Sequence, residues 1–147
     1  MNMKNRFVRP ASATDKRYRA ILKEITDENV CPLCPETMRW HTKPILKRRK
    51  GWYITENFNP YKNANRHFLI IDQLHKERFE KLSADDWAHI VYLANWAIKT
   101  FRIKGGGMAM RFGSPRLTGA SVTHLHAHLI TPKILRGKTQ SVSFPIG

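Results

Sequence analysis

Cysteine is scarce in this chain: of 147 residues only Cys31 and Cys34 are of that type. Two cannot build the disulfide framework with which small secreted domains make up for a thin core. Acidic residues are few as well, 11 against 26 Lys and Arg, for a net charge of +15. A surface this basic draws polyanions such as nucleotides, nucleic acid or anionic headgroups. Long apolar runs are also missing, since none approaches the roughly 20 residues that cross a bilayer. The opening stretch Met1 to Thr14 is basic but has no apolar h-region, so it does not read as a secretory signal. The expected setting is a reducing cytoplasm without a membrane partner. There a C-x-x-C pair points to metal or redox chemistry before a structural bridge.

What is present suffices for one domain. Hydrophobic residues make up 41% of the chain, enough to bury a core. Residues 1–12 read as a basic, mobile arm, and 13–147 as a single domain. The spacing of Tyr18, Ile21, Leu22 and Ile25 predicts a helix from Asp15 to Ile25, with Thr14 as its N-cap. The C-x-x-C turn follows. Ile45-Leu46, a basic turn Lys47 to Gly51, and Trp52 to Thr55 read as a hairpin. Asn57 to Asn65 is loop, and His67 to Asp72 a buried strand. The clearest helix is Ser83 to Lys104, with a Ser83/Asp86 capping box, a stripe of Trp87, Ile90, Val91, Ala94, Ala97, Ile98 and Phe101, and Gly105 to Gly107 as its stop. Strands are expected at Met108 to Phe112 and at Val122 to Thr131, which Pro132 ends. This order predicts an α+β fold: a mainly antiparallel five-stranded sheet with two principal helices.

The chemistry concentrates in His124-Leu125-His126-Ala127-His128. Strand side chains alternate faces, so three imidazoles line one surface while Leu125, Ala127 and Leu129 turn to the core. Imidazole suits nucleophilic attack, proton transfer or metal binding at neutral pH. Ser121, beside the bend at Gly119, can hold a phosphate oxygen. Cys31 and Cys34 can give zinc two thiolates, with two further ligands drawn from His41, His67, His75 and His124. Gly105 to Gly107 lacks the Lys-Ser/Thr of a phosphate loop and ends a helix, so it reads as a cap and turn. Trp40, Trp52 and Tyr53 lie amid Lys and Arg; they can stack on bases, but packing is the simpler expectation. His89 reads as a partly exposed helix histidine.

His124 to Ile130 resembles the signature of the histidine triad family, His-φ-His-φ-His-φ-φ, with φ apolar. Gly119-Ala120-Ser121-Val122 resembles that family's lead-in, His67 to Ile71 its strand with a leading histidine, and Leu74-His75 the histidine that follows. Cys31-x-x-Cys34 resembles the family's zinc-binding branch. The likeness runs in order over about residues 29 to 133, and the tail from His124 to Pro132, with a later Phe144-Pro145, most resembles bacterial diadenosine tetraphosphate phosphorylase or hydrolase relatives. It implies that His126 attacks an α-phosphorus and forms a nucleotidyl-imidazole, that His128 contacts the phosphate, and that Ser121 donates to the phosphate or leaving group. It implies that His124 joins Cys31, Cys34 and His75 around a structural Zn2+, and that His67 supports the triad from behind. Asn57, heading the Asn-rich loop, is expected among the substrate contacts with His67. Where many members carry a phosphate-binding Asn, Arg111 stands here, with a fixed charge and a different geometry.

The expectation is thus a nucleotidyl hydrolase or transferase acting on substrates such as dinucleoside polyphosphates. The alternatives are a non-catalytic nucleotide- or nucleic-acid-binding module, or an aprataxin-like DNA-end deadenylase, although no nucleic-acid finger is appended. Members of the family are often dimers, so a homodimer is an expectation of the resemblance alone.

Overall fold

The computed structural model describes residues 6–147; residues 1–5 of the expected basic arm lie outside the described residues. The first helix, α1 (Lys16–Glu28), begins one residue later than its apolar spacing predicts and runs three further. Asp15, not Thr14, is its N-cap, because the Asp15 carboxylate accepts the Tyr18 amide at 2.8 Å. The Thr14 hydroxyl instead accepts from Asn59 Nδ2 at 3.1 Å, tying the start of the helix to the Asn-rich loop. Asn29 closes α1 with φ 52°, a left-handed cap that Asn tolerates.

Strands β1 (Ile45–Arg49), β2 (Trp52–Glu56), β3 (Ala64–Asp72), β4 (Gly107–Met110) and β5 (His126–Pro132) form one antiparallel sheet in the order β1-β2-β3-β5-β4. The α+β architecture is therefore the expected one. The basic residues Lys47, Arg48 and Arg49 belong to β1, leaving Lys50-Gly51 as the turn. Helix α2 (Ala84–Thr100) carries the Ser83/Asp86 capping box in both directions. It stops at Thr100, short of the glycines. Gly106 is needed for another reason: a Cβ there would run into the Ile130 carbonyl on β5. A four-residue helix, α3 (Pro115–Thr118), and a small hairpin of β6 (Ile134–Leu135) and β7 (Lys138–Thr139) complete the elements.

Both faces of the sheet are covered. On one, Ile90, Leu93, Ala94 and Ala97 of α2 pack on Trp52, Ile54, Phe68, Ile70, Ala127 and Leu129. Leu93 belongs to this buried stripe, whereas Val91 and Ile98 face outward. On the other, Leu22 and Ile25 of α1, Cys31, Leu33, Val8 and Val122 pack on Tyr53, Leu69 and Ile71. Trp52 and Tyr53 are core residues and present no ring to a base. The histidine face therefore lies beneath a second layer instead of lining an open surface. Residues 6–12 help to build that layer instead of hanging free. Val8 bridges Val122, the Arg9 amide donates to the Ser121 carbonyl at 2.8 Å, and the Thr123 amide donates to the Phe7 carbonyl at 2.9 Å. Among the described residues no helix is long and apolar enough to cross a membrane.

Candidate functional site

The β3–β5 register sets Leu69 opposite His128 and Ile71 opposite His126, on the α1 side of the sheet. His67 lies two residues along β3, on that same face. Its Nε2 comes within 2.8 Å of His128 Nδ1. The proton positions follow from main-chain partners. The Tyr61 amide donates to His67 Nδ1 at 3.1 Å, so this nitrogen accepts and the ring proton sits on Nε2. Burial above all, then His126 and Arg111, hold the His67 pKa down at about 4, which keeps the ring neutral. His67 Nε2–H therefore donates to His128 Nδ1, and the His128 proton is left on Nε2. That Nε2 is buried and has no hydrogen-bond partner among the described residues. Burial, with His126, His67 and Arg111 adding to it, also holds His128 neutral.

His126 is turned the other way. Its Nδ1–H donates to the His124 carbonyl at 2.7 Å, so Nε2 carries a free lone pair. Burial chiefly, offset in part by that carbonyl, and with Arg111 adding to it, lowers its pKa. The His126 and His128 ring centroids are 4.8 Å apart. One ring thus offers a neutral nucleophile beside a ring that offers an unspent donor.

Other expected residues gather here. Ser121 Oγ lies 3.0 Å from the hydroxyl of Tyr18 on α1. Arg111, just past β4, donates from Nη1 to the Tyr61 hydroxyl at 3.0 Å and from Nε to the Pro145 carbonyl at 2.8 Å. Among the described residues no carboxylate pairs with Arg111, and its charge helps to lower the pKa of His67, His126 and His128. Asn57, Ser121, Arg111, His126 and His128 line one cleft of about 70 Å³. That is small beside the roughly 300 Å³ at the low end of ligand sites. Aromatic rings crowd His128 and Arg111. The Phe144 ring meets His128 edge-on at 5.0 Å and lies against Arg111 at 3.9 Å, while Tyr61 stacks on His128 at 5.7 Å. A larger cavity, about 880 Å³ along β4 and the glycine run, shares no lining residue with this cleft.

The second cluster is the cysteine pair with His75 and His124, whose ligand atoms all lie within 4.8 Å of one another. His124 precedes β5, so only His126 and His128 share the strand itself. His124 Nε2–H donates to the Asp72 carbonyl at 2.7 Å, and His75 Nε2 meets the Glu77 carboxylate at 2.9 Å. Both Nδ1 lone pairs then turn inward. Cys31 Sγ is 3.4 Å from His124 Nδ1, and Cys34 Sγ is 3.5 Å from His75 Nδ1 and 3.7 Å from His124 Nδ1. A zinc tetrahedron with Zn–S about 2.3 Å and Zn–N about 2.0 Å has S···N edges of about 3.5 Å, so this donor set fits zinc. Burial pushes the Cys31 thiol up to about 12 and the Cys34 thiol upward as well. A thiolate there needs a cation beside it, which speaks for metal over thiol redox chemistry.

His41, the alternative zinc ligand in the sequence, is elsewhere: its Nε2 is 2.7 Å from Thr55 Oγ1. His67 is likewise spent on His128. Sequence reasoning missed Tyr61, Tyr18 and Glu77, and gave Phe144, met in the Phe144-Pro145 tail, no place in the site. Of the three, Glu77, two residues from His75, left a local signal.

The HIT domain family model matches residues 45–134. That span takes in both histidines of β5, His67 and His75, but not the cysteines or α1. Among solved structures, a HIT family hydrolase from Clostridium thermocellum is 25% identical, over 71% of this chain and 96% of that one, with a TM-score of 0.53. A Zn-bound histidine triad family protein from Mycobacterium smegmatis is 16% identical, over 71% and 74%, with a TM-score of 0.50. A diadenosine triphosphate hydrolase from Plasmodium falciparum is 23% identical, over 61% of each chain, with a TM-score of 0.51. No curated protein sequence matches the chain.

Proposed function

The chain belongs to the HIT domain family, and from that premise we propose that it is a nucleotidyl hydrolase or transferase that cleaves at the α-phosphate of substrates such as dinucleoside polyphosphates. The observation that carries this reading is the opposed protonation of two neighbouring rings: His126 with a bare Nε2, His128 with an unpartnered Nε2–H.

His126 Nε2 attacks the α-phosphorus. The N–P bond forms as the P–O bond to the leaving group breaks, and the leaving group departs with the electron pair. The ring becomes cationic, and its Nδ1–H bond to the His124 carbonyl strengthens as it does so. His128 Nε2–H donates to a non-bridging phosphate oxygen, and the Arg111 guanidinium supplies the positive charge around it. Ser121 Oγ, held by Tyr18, donates to the phosphate or the leaving oxygen. Asn57 lines the same cleft. Water or phosphate then attacks the phosphorus, the N–P pair returns to Nε2, and water's proton leaves to solvent. Arginine in place of asparagine favours a highly charged phosphate chain over a neutral leaving group.

Cys31, Cys34, His75 and His124 would hold a structural zinc with a closed ligand set, and the metal would brace the approach to β5 against the C-x-x-C turn. A Zn-bound relative and the paired outer partners Asp72 O and Glu77 support that reading.

The test is incubation with dinucleoside polyphosphates and adenosine phosphoramidate, with and without phosphate, followed by product analysis and acid-avoiding mass spectrometry. A mass increase of one nucleotidyl group located on His126, absent in His126→Ala, is expected. Tight nucleotide binding with neither adduct nor turnover of any member would sink the enzyme reading.

A further inference from the structure

His41 is left without a part in the row or at the cysteines. It nevertheless lines the cleft that holds His126 and also an adjoining recess of about 30 Å³. Tyr18, Leu33, Phe58 and Val122 line both, so the two lie side by side with these residues as their common wall. From the cleft to the recess the walls change from histidine, serine and arginine to aromatic and apolar groups. Phe58 stands between, meeting the Tyr18 ring at 5.8 Å and the His41 ring at 5.8 Å, both edge-on. A phosphate at one end and a flat heterocycle at the other match that gradient.

The His41 proton position is settled by its partner. The Thr55 hydroxyl donates to the Pro44 carbonyl at 2.8 Å, so its oxygen accepts from His41 Nε2–H at 2.7 Å. Nδ1 is then a bare acceptor, buried, with no partner among the described residues. Burial first, then Lys43, lowers the His41 pKa, which keeps the ring an acceptor at neutral pH. A buried acceptor without a donor is costly, and such an atom on a residue that lines a cleft is explained when a ligand supplies the donor.

We propose that His41 Nδ1 reads the base of the bound nucleotide, accepting a hydrogen bond from the 6-amino group of adenine and turning away a base that presents a carbonyl oxygen there. The inference rests on the nucleotide reading of the site and adds a base preference to it. Two facing acceptors, ring nitrogen and carbonyl oxygen, both lose water and gain nothing, so discrimination of about tenfold to a hundredfold is expected.

The experiment is calorimetric titration of the intact protein with AMP, IMP and purine riboside monophosphate, which differ only at the 6-position and its ring proton. Expected is tightest binding of AMP, weaker binding of purine riboside monophosphate, and weakest binding of IMP. In His41→Leu the ratio of AMP to IMP affinity falls close to one. Equal affinities in the parent protein overturn the proposal, and so does an adenine preference that survives His41→Leu. If that variant does not fold, the parent series decides: purine riboside monophosphate binding as tightly as AMP removes the amino group from the account. Failure of all three to bind defeats the nucleotide reading itself, a different outcome from binding without base preference.

Discussion

Replacing His124 and replacing His126 should separate stability from chemistry, although the two rings are two residues apart. His124 is 1% exposed, and its Nε2–H satisfies the buried Asp72 carbonyl. In His124→Ala, emptying that volume costs about 2–4 kcal/mol and orphaning the carbonyl about 1–3 kcal/mol. A total near 5 kcal/mol lowers the melting temperature of a chain this size by about 10–20 °C, more if a bound zinc is lost with it. His126 is half-buried and spends one hydrogen bond on the main chain. His126→Ala should cost about 1 kcal/mol and only a few degrees. Turnover should move the other way: a drop of about a thousandfold or more for His126→Ala, and of about tenfold or less for His124→Ala held below its own melting point. Thermal unfolding by circular dichroism and single-turnover assays on the same preparations give both numbers. Equal losses of melting temperature would refute the division of labour. So would a His126→Ala protein that keeps about a tenth of the parent rate.

Glu77→Ala should weaken zinc affinity about 10–100-fold by freeing the His75 ring, as read by competition with a chromophoric chelator; unchanged affinity would count against the outer hydrogen bond. With His67 held near 4 in the fold and free to protonate near 6.5 when unfolded, the unfolded chain binds the extra proton between those values. Stability should fall as pH falls across that window, by up to about 1.4 kcal/mol per pH unit from this group, and the slope should be shallower in His67→Gln when urea midpoints are compared. Phe144→Ala should uncover His128 and lower KM by about threefold to tenfold; a raised KM would mean the ring helps hold substrate instead of covering the site.

The sequence carried the histidine row and the cysteine pair because both are local spacings with period-2 or turn chemistry behind them. It carried the sheet because Phe68, Ile70, Ala127 and Leu129 alternate as strand residues must. Helix ends were misplaced where a side chain outcompeted its neighbour, as Asp15 did Thr14, or where a glycine served a close approach instead of a cap, as Gly106 does. Nothing local announces that α1, residues 6–12 and Phe144 fold over the histidine face. Those are long-range contacts, and so is the union of Cys31 with His124 across the fold. His41 looked like a ligand by its nearness to the cysteines in sequence, yet Thr55 holds it in a different slot.

The rings of this site take their proton arrangement from peptide groups: the Tyr61 amide, the His124 carbonyl and the Asp72 carbonyl. A peptide group outlasts almost any exchange of the side chain it carries. The orientation of the row is therefore insulated from drift at those three positions, with one exception. Tyr61→Pro would delete the amide and leave every imidazole standing. Such a protein would display the whole signature and have no fixed proton on His128 Nε2.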